Sequence, residues 1–169
     1  MGGTTRLNAL AYQLRFAQSA DAAACAALDR DHSPVFAQTS SYVRLIDGEG
    51  CVLLCEQGTR LVGVAAVAKG VDAAELLNLV VEPSMRRQGC AFALLRHACV
   101  WARDQERSLI LLEIRASNVA ARLLYEQSGF RVDGVRARYY LDTRSGLRED
   151  AILMSKDLTG ELKHDDTDT

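Results

Sequence analysis

The sequence predicts an α/β (α+β) fold, in which a mixed β-sheet is covered by helices on both faces. Short apolar or alternating runs predict strands, and apolar residues spaced three and four apart predict helices. Strands that favour antiparallel pairing come first, and a strand-helix-strand-helix-strand order follows. The chain has 169 residues, 49% of them hydrophobic, which is enough for one domain with a core. We assign 11–158 to this domain, 1–10 to a flexible N-terminal arm and 159–169 to a disordered acidic tail.

The first half of the domain is expected to contain a helix pair and a hairpin. Its predicted elements are a strand at 12–16, a helix at 21–30, a short helix at about 38–46 and strands at 51–56 and 60–68. Ser19-Ala20-Asp21 offers N-cap residues to the first helix. Gln57-Gly58-Thr59 is a typical hairpin turn between the two later strands.

The second half alternates strands and helices. Its predicted elements are a strand at 74–81, a helix beginning near 90, a strand at 109–114, a helix ending at Gln127, and strands at 130–132, 135–141 and 149–154. The largely apolar strand 74–81 is expected to be central. The first of the two helices places one apolar face toward the core, formed by Ala91, Leu94, Leu95, Ala98, Trp101 and Ala102.

The stretch from 79 to 92 is the most informative part of the sequence. An apolar run ends at Glu82-Pro83, and Arg86-Arg87-Gln88-Gly89 leads directly into a helix. The first N–H groups of a helix have no partner within it and carry a partial positive charge, so such a turn binds phosphate. The alternative is an ordinary strand-to-helix connection with exposed arginines, because the turn matches neither a Walker loop nor a dinucleotide-binding fingerprint.

Glu113 interrupts an otherwise apolar strand. Burying a carboxylate is costly without a partner. One explanation is a salt bridge with Arg115 or another arginine, and the other is a site at which a carboxylate accepts protons. The residues alone leave both open.

Three further positions also have two interpretations each. Tyr125 lies among leucines on a helix, which is typical of a core residue, and its alternative role is proton donor. Asn118 is expected to cap that helix or to contact a ligand. The pair Tyr139-Tyr140 is expected to pack on the sheet or to face a substrate.

Composition argues against several classes of function. A net charge of −2 provides no basic field for nucleic acid, and no apolar run approaches the ~20 residues that span a bilayer. With no signal-peptide pattern at the N-terminus, we expect a cytoplasmic protein that binds neither nucleic acid nor membrane. The five cysteines contain no CxxC pair, which favours reduced, buried or half-buried thiols over disulfides or a metal site.

Together these motifs resemble the GNAT superfamily of acyl-CoA-dependent N-acyltransferases over 75–156. The turn from Arg86 to Ala91 matches the family's phosphate-binding turn. The segments 112–118 and 124–130 are similar to the bacterial ribosomal-protein S18 N-terminal alanine acetyltransferases, as are Arg138-Tyr139-Tyr140 and 148–154.

The resemblance implies a fold, a co-substrate and roles for residues. The implied fold is a mostly antiparallel sheet with one splayed parallel pair of strands, and the implied co-substrate is acetyl-CoA, with no metal. Glu113 takes the position of the base and Tyr125 that of the acid in a direct acyl transfer. The implied cofactor-binding residues are Leu79, Val80, Val81, Arg86, Arg87, Gln88, Gly89, Cys90, Ala91, Phe92 and Asn118.

The implied acceptor is a primary amine, first of all a protein N-terminal α-amino group, and we expect a monomer or homodimer. Two other functions stay open. One is the same chemistry on a small amine such as an amino acid, a polyamine or an aminoglycoside. The other is a non-catalytic acyl-CoA-binding module, which would need neither Glu113 nor Tyr125.

Overall fold

Seven strands and four α-helices are found in the described part of the chain, which comprises residues 12–32, 38–141 and 145–160 of a computed structural model. The strands are β1 (Gln13–Phe16), β2 (Gly50–Gln57), β3 (Arg60–Ala68), β4 (Ala73–Val81), β5 (Leu109–Arg115), β6 (Arg131–Leu141) and β7 (Arg148–Asp157). The helices are α1 (Ala22–His32), α2 (Thr39–Arg44), α3 (Cys90–Asp104) and α4 (Val119–Gln127). The predicted arm at 1–10 and most of the predicted tail lie outside the described residues.

The strands form one mixed sheet in the order β1-β2-β3-β4-β5-β7-β6. Antiparallel pairs are formed by β1 with β2, β5 with β7, and β7 with β6. The start of β4 pairs in parallel with β5, with Ala73 opposite Leu109 and Glu75 opposite Leu111. The α/β fold, the mostly antiparallel sheet and the parallel pair are therefore confirmed, and β4 is central as predicted.

The chain divides into two compact units. Unit 1 comprises Met1–Ala66 and Asn78–Leu94, and unit 2 comprises Val67–Leu77 and Leu95–Thr169. In unit 1, five consecutive residues of β2, 51–55, are buried. Burial without alternation means that both faces of this strand are covered.

Unit 2 contains β5, whose two faces differ. Ile110, Leu112 and Ile114 are buried on one face, whereas Glu113 and its neighbours on the other face are partly exposed. Because side chains of a strand alternate between faces, this pattern keeps the carboxylate of Glu113 out of the apolar core.

Three predicted elements differ from the structure. The strands expected at 130–132 and 135–141 are one strand, β6, because register shifts between Val132 and Gly134 and between Arg136 and Tyr140 absorb the irregular stretches. On α3, Cys90 and Cys99 are buried, while Ala91 and Trp101 are only half-buried. The other four residues of the predicted apolar face, Leu94, Leu95, Ala98 and Ala102, are buried.

All five cysteines are buried and carry free thiols, as predicted. None of the helices in the described ranges is long and apolar enough to cross a membrane.

Candidate active site

A tight turn connects β4 to α3 within unit 1. The N–H of Glu82 still donates to the carbonyl of Val62 at 2.8 Å, and Pro83–Met85 then forms one turn of 3₁₀ helix. Arg87 and Gly89 follow with φ angles of 61° and 85°, both in the left-handed region. Two such residues within three positions reverse the chain sharply, so that α3 begins directly at Cys90.

Gly89 is the N-cap of α3. Its carbonyl accepts the N–H of Ala93 at 2.9 Å, which is the first bond of the helix. The preceding N–H groups, those of Cys90, Ala91 and Phe92, have no acceptor within the helix and point out of its end. This is the geometry that binds an anionic group.

The space around Gly89 is restricted. A Cβ atom added to it would lie 3.3 Å from the hydroxyl of Tyr12, which is itself buried. The thiol of Cys90 is also buried, and it hydrogen bonds to Cys55, whose pKa burial raises to about 12. Cys90 therefore contributes its backbone N–H, and not its thiol, to the surface of the turn.

Two side chains of the turn brace the turn itself. The Nε of Arg86 donates to the carbonyl of Val81 at 3.1 Å, and the Nε2 of Gln88 donates to the carbonyl of Ser84 at 2.9 Å. Arg87 is exposed. Arg86 and Gln88, two of the three polar side chains predicted to contact phosphate, therefore stabilise the turn through these bonds.

Within unit 2, Glu113 forms an ion pair. The Nη1 of Arg136 lies 3.1 Å from Oε1 and 3.3 Å from Oε2 of Glu113, whose side chain is 26% exposed. Arg115, which the sequence suggested as a partner, instead pairs with Glu149 at 3.4 Å. The salt-bridge interpretation of Glu113 is therefore confirmed, with Arg136 as the partner.

Two tyrosines accompany this ion pair. The guanidinium carbon of Arg136 lies 4.5 Å from the ring centre of Tyr139, and that of Arg115 lies 4.6 Å from the ring centre of Tyr140. The two rings meet edge to face, with centroids 5.0 Å apart. Burial, and then the negative charge of Glu113, raise the pKa of Tyr140. The carboxylate therefore lies in an aromatic and cationic setting.

Three residues of this cluster were not predicted from the sequence. They are Arg136, and Asp150 and Arg148 of β7, which hold β6 in place. Asp150 accepts the N–H of Arg138 at 2.8 Å, and Arg148 Nη1 lies 3.4 Å from the carbonyls of Arg138 and Tyr139. The only available signal was the resemblance over 138–140 and 148–154, which assigned no individual contacts.

Asn118 and Tyr125 also lie in unit 2, on α4. The side-chain oxygen of Asn118 accepts the N–H of Ala121 at 3.2 Å, which confirms the predicted cap. Tyr125 is 6% exposed, and its ring packs on Phe130 with centroids 5.6 Å apart. Burial raises the pKa of its phenol.

The chain is similar to known acetyltransferases in sequence. The family model described as the acetyltransferase (GNAT) family matches residues 17–130. The chain is 38% identical to the ribosomal protein bS18 alanine N-acetyltransferase of Escherichia coli K12 over 99 residues, which cover 59% of this chain and 66% of that protein. This match spans just under two thirds of the relative's length.

Solved structures agree with the sequence comparison. The chain superposes on the ribosomal-protein-S18-alanine N-acetyltransferase from Escherichia coli with a TM-score of 0.79 and 26% identity, covering 90% of this chain and 97% of that one. It also shares its fold with a putative acetyltransferase from Salmonella typhimurium, solved with its cofactor acetyl-CoA, with a TM-score of 0.77, 20% identity, and coverage of 89% and 96%. Because the family model matches well over half of its length, the chain belongs to the acetyltransferase (GNAT) family.

Proposed function

We propose that this protein transfers the acetyl group of acetyl-CoA to the α-amino group at the N-terminus of a protein. The observation that carries the proposal is Glu113, a partly exposed carboxylate held beside Arg136 and two tyrosines. The relative from Escherichia coli, named for alanine acetylation of ribosomal protein bS18, supports this acceptor class. A ribosomal acceptor would place the reaction in the cytoplasm.

Acetyl-CoA fits the turn between β4 and α3. The N–H groups of Cys90, Ala91 and Phe92 provide donors for the pyrophosphate, and Gly89 leaves room for it to approach. The exposed Arg87 is suited to a phosphate oxygen. In unit 2, the cap uses only the oxygen of Asn118, so its amide NH₂ can donate to the cofactor.

The backbone of β4 is suited to the acyl-carrying arm of the co-substrate. We assign main-chain contacts with the pantetheine to Leu79 and Val80, and a backbone N–H near Val80 or Val81 to the thioester carbonyl. The carbonyl of Val81 already accepts Arg86, which fixes the end of the strand.

Glu113 acts as the base. An amine attacks the thioester only in its neutral form, and an α-amino group with a pKa of ~8 is neutral far more often near pH 7 than a lysine with a pKa of ~10.4. Glu113 removes the proton directly or through one water molecule. Because less deprotonation is needed, an α-amino group is the easier acceptor.

Tyr125 acts on the leaving group. Its pKa lies above the usual 10.0, whereas a thiol has a pKa of ~8.5, so full proton transfer to the CoA thiolate is uphill by more than ~2 kcal/mol. We therefore assign Tyr125 the role of a hydrogen-bond donor that stabilises the thiolate. The CoA thiolate is finally protonated by the proton that the amine loses.

An acceptor panel tests this proposal. Thiol release from acetyl-CoA is measured with alanine-initiated peptides of the S18 type, lysine peptides, a polyamine and an aminoglycoside, and the matched control is the same alanine peptide with a blocked N-terminus. We expect the highest kcat/KM with the free N-terminus and none with the blocked one. Preference for a small amine would refute the acceptor class. Binding of acetyl-CoA without turnover on any amine would indicate a binding module.

A further inference from the structure

We propose that Arg136 is a positioning residue for Glu113. It holds the carboxylate of Glu113 in the orientation that faces the acceptor amine. This inference rests on the proposed function, because it needs Glu113 to act as the base. We expect Arg136 to affect the chemical step and not the binding of acetyl-CoA.

The ion pair engages both oxygens of the Glu113 carboxylate. A single nitrogen of Arg136, Nη1, lies within 3.3 Å of both oxygens of Glu113. A contact with both oxygens restricts rotation of the carboxylate as well as its position. A glutamate that is 26% exposed would otherwise sample several rotamers.

Arg136 is itself held in place. Its guanidinium stacks on the ring of Tyr139 at 4.5 Å. Tyr139 in turn lies in the bulge of β6, where Arg148 reaches the carbonyl of Tyr139 and Asp150 accepts the N–H of Arg138. The chain of contacts runs from the rigid strand β7 to the carboxylate.

The register of the three strands places Arg136 within reach of Glu113. Ala151 of β7 lies opposite Arg115 of β5 on one side and opposite Arg136 of β6 on the other. Glu113 is two residues from Arg115 on the same face of β5. The side chain of Ala151 is a single methyl group, so Arg136 can extend over it toward Glu113.

The other nearby cation, that of Arg115, is already engaged. Arg115 pairs with Glu149, which also accepts the N–H and the hydroxyl of Ser117 at 2.9 and 2.7 Å. Arg115 therefore has a partner of its own and is not poised to replace Arg136.

The test compares Arg136→Gln, Arg136→Lys and a control. Gln removes the charge, whereas Lys keeps the charge but lacks the planar guanidinium that stacks on Tyr139. Arg131→Gln removes a cation from the same strand, where Arg131 lies 3.5 Å from Asp133 and its side chain is 75% exposed. Steady-state kcat and the KM of both substrates are measured for each, and thermal melting confirms that each variant is folded.

We expect Arg136→Gln to lower kcat about 10-fold, because a displacement of ~1 Å at a reacting group costs up to ~100-fold. The KM for acetyl-CoA should stay within about 2-fold of the wild type. Arg136→Lys should recover only part of the loss, because it restores the charge but not the stacked guanidinium, and Arg131→Gln should match the wild type.

A double-mutant cycle with Glu113→Gln separates positioning from general damage. If Arg136 acts through Glu113, adding Arg136→Gln to Glu113→Gln should change kcat less than about 2-fold. Equal losses in both backgrounds, or wild-type kcat for Arg136→Gln, overturn the inference. An unaffected Arg136→Gln beside an inactive Glu113→Gln would refute only this inference, whereas a wild-type protein that acetylates no amine would refute the proposed function itself.

Discussion

Replacement of Gly89 by alanine tests the phosphate-binding turn most directly. The φ angle of 85° at this position costs an L-residue about 1–2 kcal/mol. The added methyl group would also lie 3.3 Å from the hydroxyl of Tyr12, which is tighter than an ordinary contact. We expect the turn of the variant to relax toward a less strained backbone, which turns the first N–H groups of α3 away from their common direction.

The size of the effect on binding follows from this strain. If the free protein relaxes by about 1–2 kcal/mol, acetyl-CoA must restore the strained turn when it binds, so Kd rises about 5- to 30-fold. Calorimetric titration with acetyl-CoA measures Kd directly. Replacement by aspartate should weaken binding further, because a carboxylate there also repels the pyrophosphate.

Gly58 provides a matched control. It lies in the hairpin turn between β2 and β3 with a φ angle of 63°, and no atom would lie within 4 Å of an added Cβ. Gly58→Ala should therefore lose similar stability and keep its affinity for acetyl-CoA. An unchanged Kd for Gly89→Ala, or an equal loss of affinity in both variants, would refute the assignment of the turn to phosphate.

Two other predictions concern the chemistry of Glu113 and Tyr125 in unit 2, and a third concerns the stability of unit 1. Glu113→Gln should lower kcat by about 100-fold and leave acetyl-CoA binding unchanged, so full activity would remove Glu113 as the base. Tyr125→Phe should slow the chemical step about 10-fold in single-turnover experiments, since one donor to the leaving group is lost. A wild-type rate would exclude Tyr125 as that donor. Hydrogen bonds from Arg15 lower the pKa of Asp21 from 3.8 to about 2, so this pair stabilises the fold above about pH 4 and loses that contribution as the pH falls toward 2. Asp21→Asn should therefore reduce the free energy of unfolding by ~1 kcal/mol at pH 7, after allowance for solvent screening, and the difference from the wild type in denaturant titrations should vanish near pH 2.

The sequence predicted the elements that depend on local signals. The hairpin between β2 and β3, the cap at Asn118 and the turn before α3 were all foreseen, because glycine and cap residues act through their own backbone. The strand β3 was predicted at its observed bounds, Arg60–Ala68. The largely apolar run at 74–81 also identified β4 as central, and β4 is the fourth of the seven strands in the sheet.

The partner of Glu113 was beyond such reasoning. Arg115 and Arg136 are both arginines, and only the pairing of β5, β7 and β6 decides which of them reaches the carboxylate. Arg136 lies 23 residues away in sequence. Local patterns carry no information about a contact that is created by strand register.

The bulge in β6 explains why the arrangement of Tyr139 and Tyr140 could not be predicted either. Consecutive residues of a regular strand point to opposite faces, which would separate these two rings. Between Arg136 and Tyr140, however, β6 advances four residues while β7 advances only from Ala151 to Glu149. The two extra residues put Tyr139 and Tyr140 in edge-to-face contact.

This bulge contains no glycine to reveal it. Arg138 adopts a φ angle of 53°, which costs a non-glycine residue about 1–2 kcal/mol. Its N–H bond to Asp150 and the bonds of Arg148 to the two carbonyls contribute about 1 kcal/mol each and offset that cost. β7 thus holds the strained Arg138 at the point where β6 turns its side chains toward Glu113. A strained backbone persists only where its surroundings hold it in place, and a candidate base whose action depends on fixed geometry needs such surroundings.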